Sequence, residues 1–535
     1  MVANKYYKGK WASLVNDLEE KNYLEKDQSA SLKAMIASPD EENLVVAEEL
    51  IKLKITDALM EGLNPGQGEA FVKIVQFLRN SEEESHSAVV LKGYAGTGKT
   101  YLVKRLIEYI RHVDPNAKIA ITAPTNKAVH ILFKNSPFGD GSAMFEDSKI
   151  NQDDYVVYCT THKLLGYKEA ISETGEQSFV SVKKEARMSN YKYLFVDEVS
   201  MLHDDLYRDL MQHKDKIKII FLGDSAQIPP INKAECIPLD PNAPEPFLRV
   251  HLTQIMRQAN NNPIVGMSMW LRENLDKQYP IKLITDLKDD KGIVCINTKT
   301  QPGIAKDTLR KLFQSPEYKI NSDYIKIIAW RNVSITSLNN TIRNILFNDT
   351  VQPYHVGERL IANHPLFESF DEPLRYGSNR MVIIKANTSD EFEVLDVKLE
   401  TKTCKDYGYM RDNISFTGKF WRLRARDLHN KNHYLDLQIV HEDSAQEYHY
   451  FLKDLKAKAT RSKDVGHWIN YYNAKKWSDD VNYNYAISAH KSQGSTYKNV
   501  MIIEQDINMN PKIIERNRIK YTAYTRASDK LYIVT

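Results

Sequence analysis

The run Gly93-Tyr94-Ala95-Gly96-Thr97-Gly98-Lys99-Thr100 matches the pattern G-x-x-x-x-G-K-[ST] without substitution. From Gly93 through Ala95, Gly96, Thr97 and Gly98 the glycines let the backbone curl its N–H groups around phosphates. Lys99 can then reach the β and γ oxygens, and the Thr100 hydroxyl is the type of group that ligates Mg2+. A nucleoside triphosphate is the implied ligand. Hydrolysing it needs carboxylates nearby, and Leu194-Phe195-Val196-Asp197-Glu198 supplies two at the end of an apolar run. Asp197 is expected to hold the magnesium through its outer sphere, and Glu198 to polarise the attacking water as a general base. Taken alone, an Asp-Glu pair is usually a solvated loop; the phosphate loop upstream reverses that reading. In Phe221-Leu222-Gly223-Asp224-Ser225-Ala226-Gln227-Ile228-Pro229, Gln227 can contact the γ-phosphate or its water, the plainer alternative being a loop cap.

The elements that must position these groups can be read from periodicity. Ala88 to Leu91 is a short buried strand before the loop, and Leu102, Val103, Leu106, Ile107 and Ile110 make one apolar helix face after it. The dipole of that helix favours an anion at its N-terminus. From about residue 61 to 255, strands at Ile119–Thr122, Tyr193–Val196 and Ile219–Leu222 alternate with helical stretches, which predicts a parallel sheet covered by helices. A second alternating pattern starts at Ile325–Ala329 and resumes with Tyr485–Ser488, Val500–Ile503 and Leu531–Val534, giving a second α/β unit over 256–356 and 481–535. Between its parts, 357–480 differs: Met381–Lys385 and Phe392–Leu399 alternate apolar and polar residues, so an inserted antiparallel module is expected. Residues 1–60 carry apolar residues at helical spacing, such as Val46, Leu50, Leu53, Ile55 and Leu59, and predict a helical extension.

Composition narrows the class. A chain of 535 residues with 42% hydrophobic and 27% charged residues, 30 Tyr and 17 Phe is folded throughout and large enough for three or four domains. The net charge of +3 means that a nucleic-acid surface has to come from local clustering. Cys159, Cys236, Cys295 and Cys404 lie far apart, without zinc or disulfide spacing, and point to a reducing cytoplasm. The sequence MVANKYYKGKW has no signal-peptide run, and no stretch is long enough for a membrane span, so no membrane partner is expected.

With these pieces in order, the chain resembles superfamily 1 DNA helicases of the RecD-like/Dda branch, over about residues 61 to 535. Asn64-Pro65-Gly66-Gln67-Gly68-Glu69-Ala70-Phe71 resembles the glutamine motif, whose Gln, here Gln67, reads adenine; ATP is thereby the implied nucleotide. Thr122-Ala123-Pro124-Thr125-Asn126-Lys127-Ala128-Val129 and Thr160-Thr161-His162-Lys163-Leu164-Leu165 resemble the two motifs on which the family lays a single strand. Ala486-Ile487-Ser488-Ala489-His490-Lys491-Ser492-Gln493-Gly494-Ser495-Thr496 and Tyr521-Thr522-Ala523-Tyr524-Thr525-Arg526-Ala527 resemble the last two. The resemblance implies two RecA-like domains, a small β-hairpin inserted in the first at about 166–190, and an SH3-like module inserted in the second. It also implies that Arg257 and Arg526 act as arginine fingers on the γ-phosphoryl group.

Moving along a single strand needs phosphate contacts that grip and release with little sequence reading. Pro124, Thr125, Asn126, Lys127, Thr161, His162, His490, Gln493 and Thr496 are the residues that the resemblance assigns to DNA, with ordinary loop capping as the alternative for each donor. In the hairpin segment, Phe179 is the candidate strand-separating pin, or else tucks beneath the hairpin. The segment Lys453 to Trp477 interleaves Lys453, Lys456, Lys458, Arg461, Lys463, Lys475 and Lys476 with Trp468, Tyr471, Tyr472 and Trp477, which suits either a strand-facing surface or packing against the pin.

The residues and the resemblance together point to an ATP-dependent DNA helicase, and the resemblance implies that it moves 5′-to-3′ on single-stranded DNA and opens forked duplex. The family setting is replication, recombination or repair, with single-strand-binding or replisome proteins as partners and a monomeric state expected. Two rivals stand beside it: a nucleotide-gated strand clamp or recombination mediator that does not unwind, and an RNA-directed helicase. Glu198, Gln227, Arg257 and Arg526 argue against the clamp, because binding alone needs no complete hydrolytic set.

Overall fold

The computed structural model describes residues 2–79, 86–134, 143–144, 155–171, 177–181, 188–230, 233–256, 262–278, 283–347, 352–367, 384–407, 413–430, 432–462 and 464–535. Two sheets of predominantly parallel strands form the α/β body. In the first, seven parallel strands run in the order Ala143–Met144, Val156–Thr160, Ile119–Ala123, Tyr193–Val196, Lys218–Gly223, Ala88–Gly93, Phe247–Leu252. Because these strands are parallel, all their C-terminal loops emerge on one edge. The phosphate loop, the Asp197-Glu198 pair, the Gln227 loop and the Pro124 and Thr161 segments are thus brought together by topology alone. The last strand, Phe247–Leu252, was not legible as a strand in the sequence; its pattern is only half-buried.

The second sheet has six strands in the order Asp286–Lys288, Lys291–Ile296, Ala527–Val534, Tyr497–Ile503, Ile325–Ala329, Ala486–Ser488. All pair in parallel except Asp286–Lys288, which pairs antiparallel with its neighbour. The sheet therefore begins earlier than the first apolar run at Ile325 suggests. The strand Lys291–Ile296 escaped notice because it starts with Lys and Gly and has only three buried positions.

The insertion is a five-stranded antiparallel sheet in the order Tyr434–Val440, Asn413–Asp427, Glu391–Tyr407, Arg359–Ala362, Val481–Tyr483. Phe392–Leu399 lies inside its longest strand, while Met381–Ile383 falls outside the described residues. Val481–Tyr483 pairs with Arg359–Ala362, so these residues belong to this sheet rather than to the second α/β unit. Two helices, Glu442–Ser462 and Val465–Lys475, complete the insertion.

The N-terminal extension consists of the helices Val2–Glu20, Lys26–Ala37 and Glu41–Met60. Asp40 caps the third by accepting from the Glu42 N–H. Its buried face is Ala47, Ile51, Ile55 and Ala58, continuous with Phe71 and Tyr109 of the first α/β core. Val46, Leu50 and Leu53 are instead exposed, at 47, 41 and 49%. The helix has two apolar stripes, and spacing does not tell which one meets the core. Among the described residues no helix is long and apolar enough to cross a membrane.

Candidate nucleotide site and strand-facing residues

The phosphate loop links the buried strand Ala88–Gly93 to the helix Lys99–Val113. Gly96 and Gly98 take φ of +83° and +79°, a region that side chains disfavour, and a Cβ on Gly98 would lie 2.5 Å from the Gln67 amide nitrogen. Lys99 Nζ donates to the carbonyls of Gly93 (2.8 Å) and Tyr94 (3.1 Å), so the ammonium spans the turn of its own loop. Gln67 is 2% exposed and donates through Nε2 to Thr97 O at 3.0 Å, while its Oε1 accepts from the Asn64 N–H. Gln67 is thereby fixed against the loop, on the side of Thr97 and Gly98.

Asp197 is anchored by its N–H to Thr122 O (2.8 Å), and its Oδ1 accepts from the Glu198 N–H (2.8 Å). Burial, followed by the charge of Glu198, pushes the Asp197 carboxyl up to about 7, with Lys99 opposing. Glu198 itself sits at φ 51°, a left-handed backbone that its neighbours must impose. Gly494 of the second α/β unit comes close enough that a Cβ there would lie 3.9 Å from Glu198 Oε1 and 3.2 Å from the Ala128 Cβ. Gln227 is 4% exposed, and its Oε1 accepts from Ser200 Oγ at 3.5 Å.

Several residues lie elsewhere than the sequence suggested. Arg526 is buried and spends its guanidinium within its own unit, donating to Thr522 O, Ser495 O and Thr525 Oγ1, each at 3.0 Å. Arg257 falls outside the described residues. Lys127, expected at a DNA phosphate, is 4% exposed and is ion-paired with Glu391 of the inserted sheet, donating also to the Tyr497 hydroxyl at 3.0 Å. Gln493, also assigned to DNA, is 4% exposed and donates to Ile228 O, next to Gln227, at 3.2 Å. Thr161 is fully buried. In this conformation these three side chains are buried: Lys127 in the first turn of its helix, Thr161 at the first residue of its short helix, and Gln493 just past the end of the helix Ala489–Ser492. They do not form a strand-facing surface.

Pro124, Thr125, His162, His490 and Thr496 are half-buried. Thr125 Oγ1 accepts from the Ala128 N–H and so caps its helix, in line with the plainer alternative. Burial lowers the basicity of both His162 and His490, favouring neutral rings. The side chain of Asn126 is outside the description.

The hairpin is present as Tyr167–Ile171 paired with Gln177–Ser181, with Phe179 opposite Glu169; the Phe179 side chain falls outside the description. Its base is tied down by Tyr167, whose hydroxyl donates to Asp209 at 2.7 Å. The helix Val465–Lys475 lies against the strand Tyr167–Ile171. Trp468 and Trp477 are buried at 5 and 7%, Tyr471, Tyr472 and Lys476 are half-buried, and Lys453, Lys456, Lys458, Arg461 and Lys475 are exposed. Lys463 falls outside the described residues.

Sequence reading missed Arg272 altogether and gave Tyr521 no role. Arg272 comes from the helix Pro263–Glu273, with its guanidinium 4.0 Å from the Tyr94 ring centroid, and is ion-paired with the fully buried carboxylate of Asp224. No local pattern marks it. Tyr521 stands in a quoted motif, but only the fold brings it to the loop: its hydroxyl donates to Asp224 Oδ2 at 2.5 Å and accepts from the Ala95 N–H at 3.4 Å.

Comparison with known proteins agrees with this arrangement at both ends. Residues 80–233 match the AAA domain model, and residues 483–534 match the UvrD-like helicase C-terminal domain. The chain is 25% identical over 503 residues to the uncharacterized protein R530 of Acanthamoeba polyphaga mimivirus, covering 86% of this chain and 97% of that one. It is 24% identical over 462 residues to the ATP-dependent DNA helicase dda of Enterobacteria phage T4, covering 83% and 92%. It is 23% identical over 471 residues to the RecBCD enzyme subunit RecD of Buchnera aphidicola subsp. Schizaphis graminum, covering 84% and 70%. A phosphate loop at one end, a UvrD-like unit at the other and relatives matched along most of their length place the chain in the RecD-like/Dda branch of superfamily 1 helicases.

Proposed function

We propose that this chain is an ATP-dependent DNA helicase that moves 5′-to-3′ on single-stranded DNA and opens duplex at a fork. The observation that carries this reading is the placement of the phosphate loop against the second α/β unit, where Ala95 meets Tyr521 and Glu198 lies beside Gly494. A nucleotide bound at such a boundary changes the fit of the two units, and that change is what moves a strand. Glu198 is the proposed general base, Lys99 the phosphate ligand, Gln227 the γ-phosphate sensor, and Gln67 the adenine reader. Arg257 and Arg526 are proposed as fingers, which for Arg526 requires release from its three carbonyl and hydroxyl partners.

Thr100 and Asp197 are oxygen donors that fit Mg2+, and the buried Asp197 carboxyl, pushed up by its surroundings, is a group that a cation would satisfy. Bound there, the ion would neutralise charge on the phosphates. Thr125, Asn126, His162, His490 and Thr496 are the proposed phosphate contacts on the strand. Single-stranded and forked DNA are the proposed substrates, with single-strand-binding or replisome proteins as partners and the monomer as the working unit.

The deciding experiment runs strand-stimulated ATP hydrolysis and unwinding in parallel on forks with a 5′ or a 3′ tail, beside Lys99→Ala. Unwinding from the 5′ tail only, lost in Lys99→Ala, is the expected result. Hydrolysis without unwinding on either tail would replace this reading with the strand clamp, and stimulation by RNA alone would replace it with the RNA-directed motor.

A further inference from the structure

Tyr521 lies at a junction that hydrolysis chemistry by itself does not require. It belongs to the helix Ile513–Tyr524 of the second unit and is 1% exposed. Its hydroxyl makes two hydrogen bonds into the first unit, accepting from the Ala95 N–H of the phosphate loop (3.4 Å) and donating to Asp224 Oδ2 (2.5 Å). Asp224 in turn is held by Arg272 and by the Ala226 N–H at 3.1 Å, and its own carbonyl accepts from the Gln227 N–H at 3.1 Å. One phenol thus connects the loop that would hold a phosphate, the segment that would sense it, and the helix that leads to Arg526.

The geometry points to Tyr521 as a positioning residue whose hydroxyl competes with a nucleotide phosphate for the Ala95 amide N–H. A loop N–H can serve one strong acceptor at a time, and a phosphate oxygen is the stronger because its hydrogen bond is charge-assisted. The phenol that loses this donor keeps Asp224 alone, and the helix is free to shift against the loop. Arg526, two residues beyond the helix end, then moves with it. The arrangement makes phosphate occupancy and the fit between the two units compete for the same donor, and that competition is the coupling. Arg272 keeps the device in register by holding Asp224 on one side and covering Tyr94 on the other.

This inference rests on the reading of the loop as a nucleotide site. Its test uses the full chain and measures equilibrium binding of fluorescent ADP and of a non-hydrolysable ATP analogue. Wild type, Tyr521→Phe and Asp224→Asn are compared, with melting curves to confirm folding. Tyr521→Phe keeps the ring and deletes the competing acceptor together with the donor to Asp224. It is expected to bind nucleotide about three- to tenfold more tightly, the effect of one net hydrogen bond. It should also open fewer base pairs per ATP hydrolysed. Asp224→Asn, which loosens the hydroxyl from its anchor, should tighten binding in the same direction. Loss of packing alone would weaken nucleotide binding, not strengthen it. Unchanged or weaker binding in both variants, with wild type binding normally, overturns the role of Tyr521 and leaves the nucleotide site standing. Failure of wild type to bind either nucleotide overturns both.

Discussion

The ammonium of Lys127, at the start of a helix in the first α/β unit, is ion-paired with the carboxylate of Glu391, the first residue of the longest strand of the inserted sheet. Their side chains are 5 and 1% exposed, and the Tyr497 hydroxyl of the second unit closes the group at 3.0 Å from Lys127. Three units therefore meet on one charge pair. Burial would push the Glu391 carboxyl up, but Lys127, then Lys326 and His429, hold it well below the ordinary carboxylate range. Breaking a buried pair from one side costs about 3–5 kcal/mol, because the remaining charge stays in the interior. Lys127→Met should lower the melting temperature sharply, and Lys127→Met with Glu391→Leu should recover most of the loss. If the single change melts like wild type, the pair does not fasten the units.

Glu198 and Lys99 separate binding from chemistry. Glu198→Gln should leave nucleotide affinity near wild type and lower strand-stimulated hydrolysis by about 10²- to 10⁴-fold, the contribution of a positioned base. Lys99→Ala should remove nucleotide binding itself. A Glu198→Gln protein that hydrolyses ATP at more than about a tenth of the wild-type rate would assign the base elsewhere.

The hairpin is built for rigidity at its base, where Tyr167 is fixed to Asp209 and to the edge of the His162 ring, with centroids 5.7 Å apart. Phe179→Ala should impair unwinding of a fork while sparing strand-stimulated hydrolysis. Tyr167→Phe, which cuts the tie to Asp209, should reduce unwinding in the same direction by a smaller factor. Equal loss of both activities in Phe179→Ala, or of neither, would remove the pin.

Asp390 should make the stability of the inserted sheet fall as pH rises. Its carboxyl accepts from the Asn387 N–H at 2.7 Å, and burial pushes it up from 3.8 to about 7. The folded state then holds the proton more tightly than the unfolded chain. The stabilisation is full below 3.8 and is lost as pH rises through about 7. Melting temperature should therefore carry a falling component between about pH 4 and pH 8, and Asp390→Asn should flatten it. A slope that is the same in the variant would place its origin in other groups.

The sequence alone determined what depends on short, contiguous chemistry. The loop Gly93–Thr100 needs two left-handed glycines and a lysine at fixed spacing, and the strands ending at Val196 and Gly223 contain apolar runs and lead directly into Asp197 and Asp224. Such features are set by backbone sterics and local burial, so the two-unit α/β plan and the inserted antiparallel sheet could be read before any coordinates, whereas the hairpin followed from the family resemblance. The tertiary structure decided what depends on which side chains meet across units. A lysine in a strand-binding motif faces solvent or the interior according to what packs on its helix, and only the fold supplies Glu391 to receive Lys127. Val46, Leu50 and Leu53 repeat at helical spacing as well as Ala47, Ile51 and Ile55 do, and only contact with Phe71 and its neighbours selects the second stripe. Arg272 and Tyr521 are 178 and 426 residues from Tyr94 and Ala95, one unmarked in the sequence and one inside a motif, yet both reach the same loop. Long-range electrostatic and hydrogen-bond partners carry no local signature, because their energy exists only once the sheets have placed them within a few ångströms of each other.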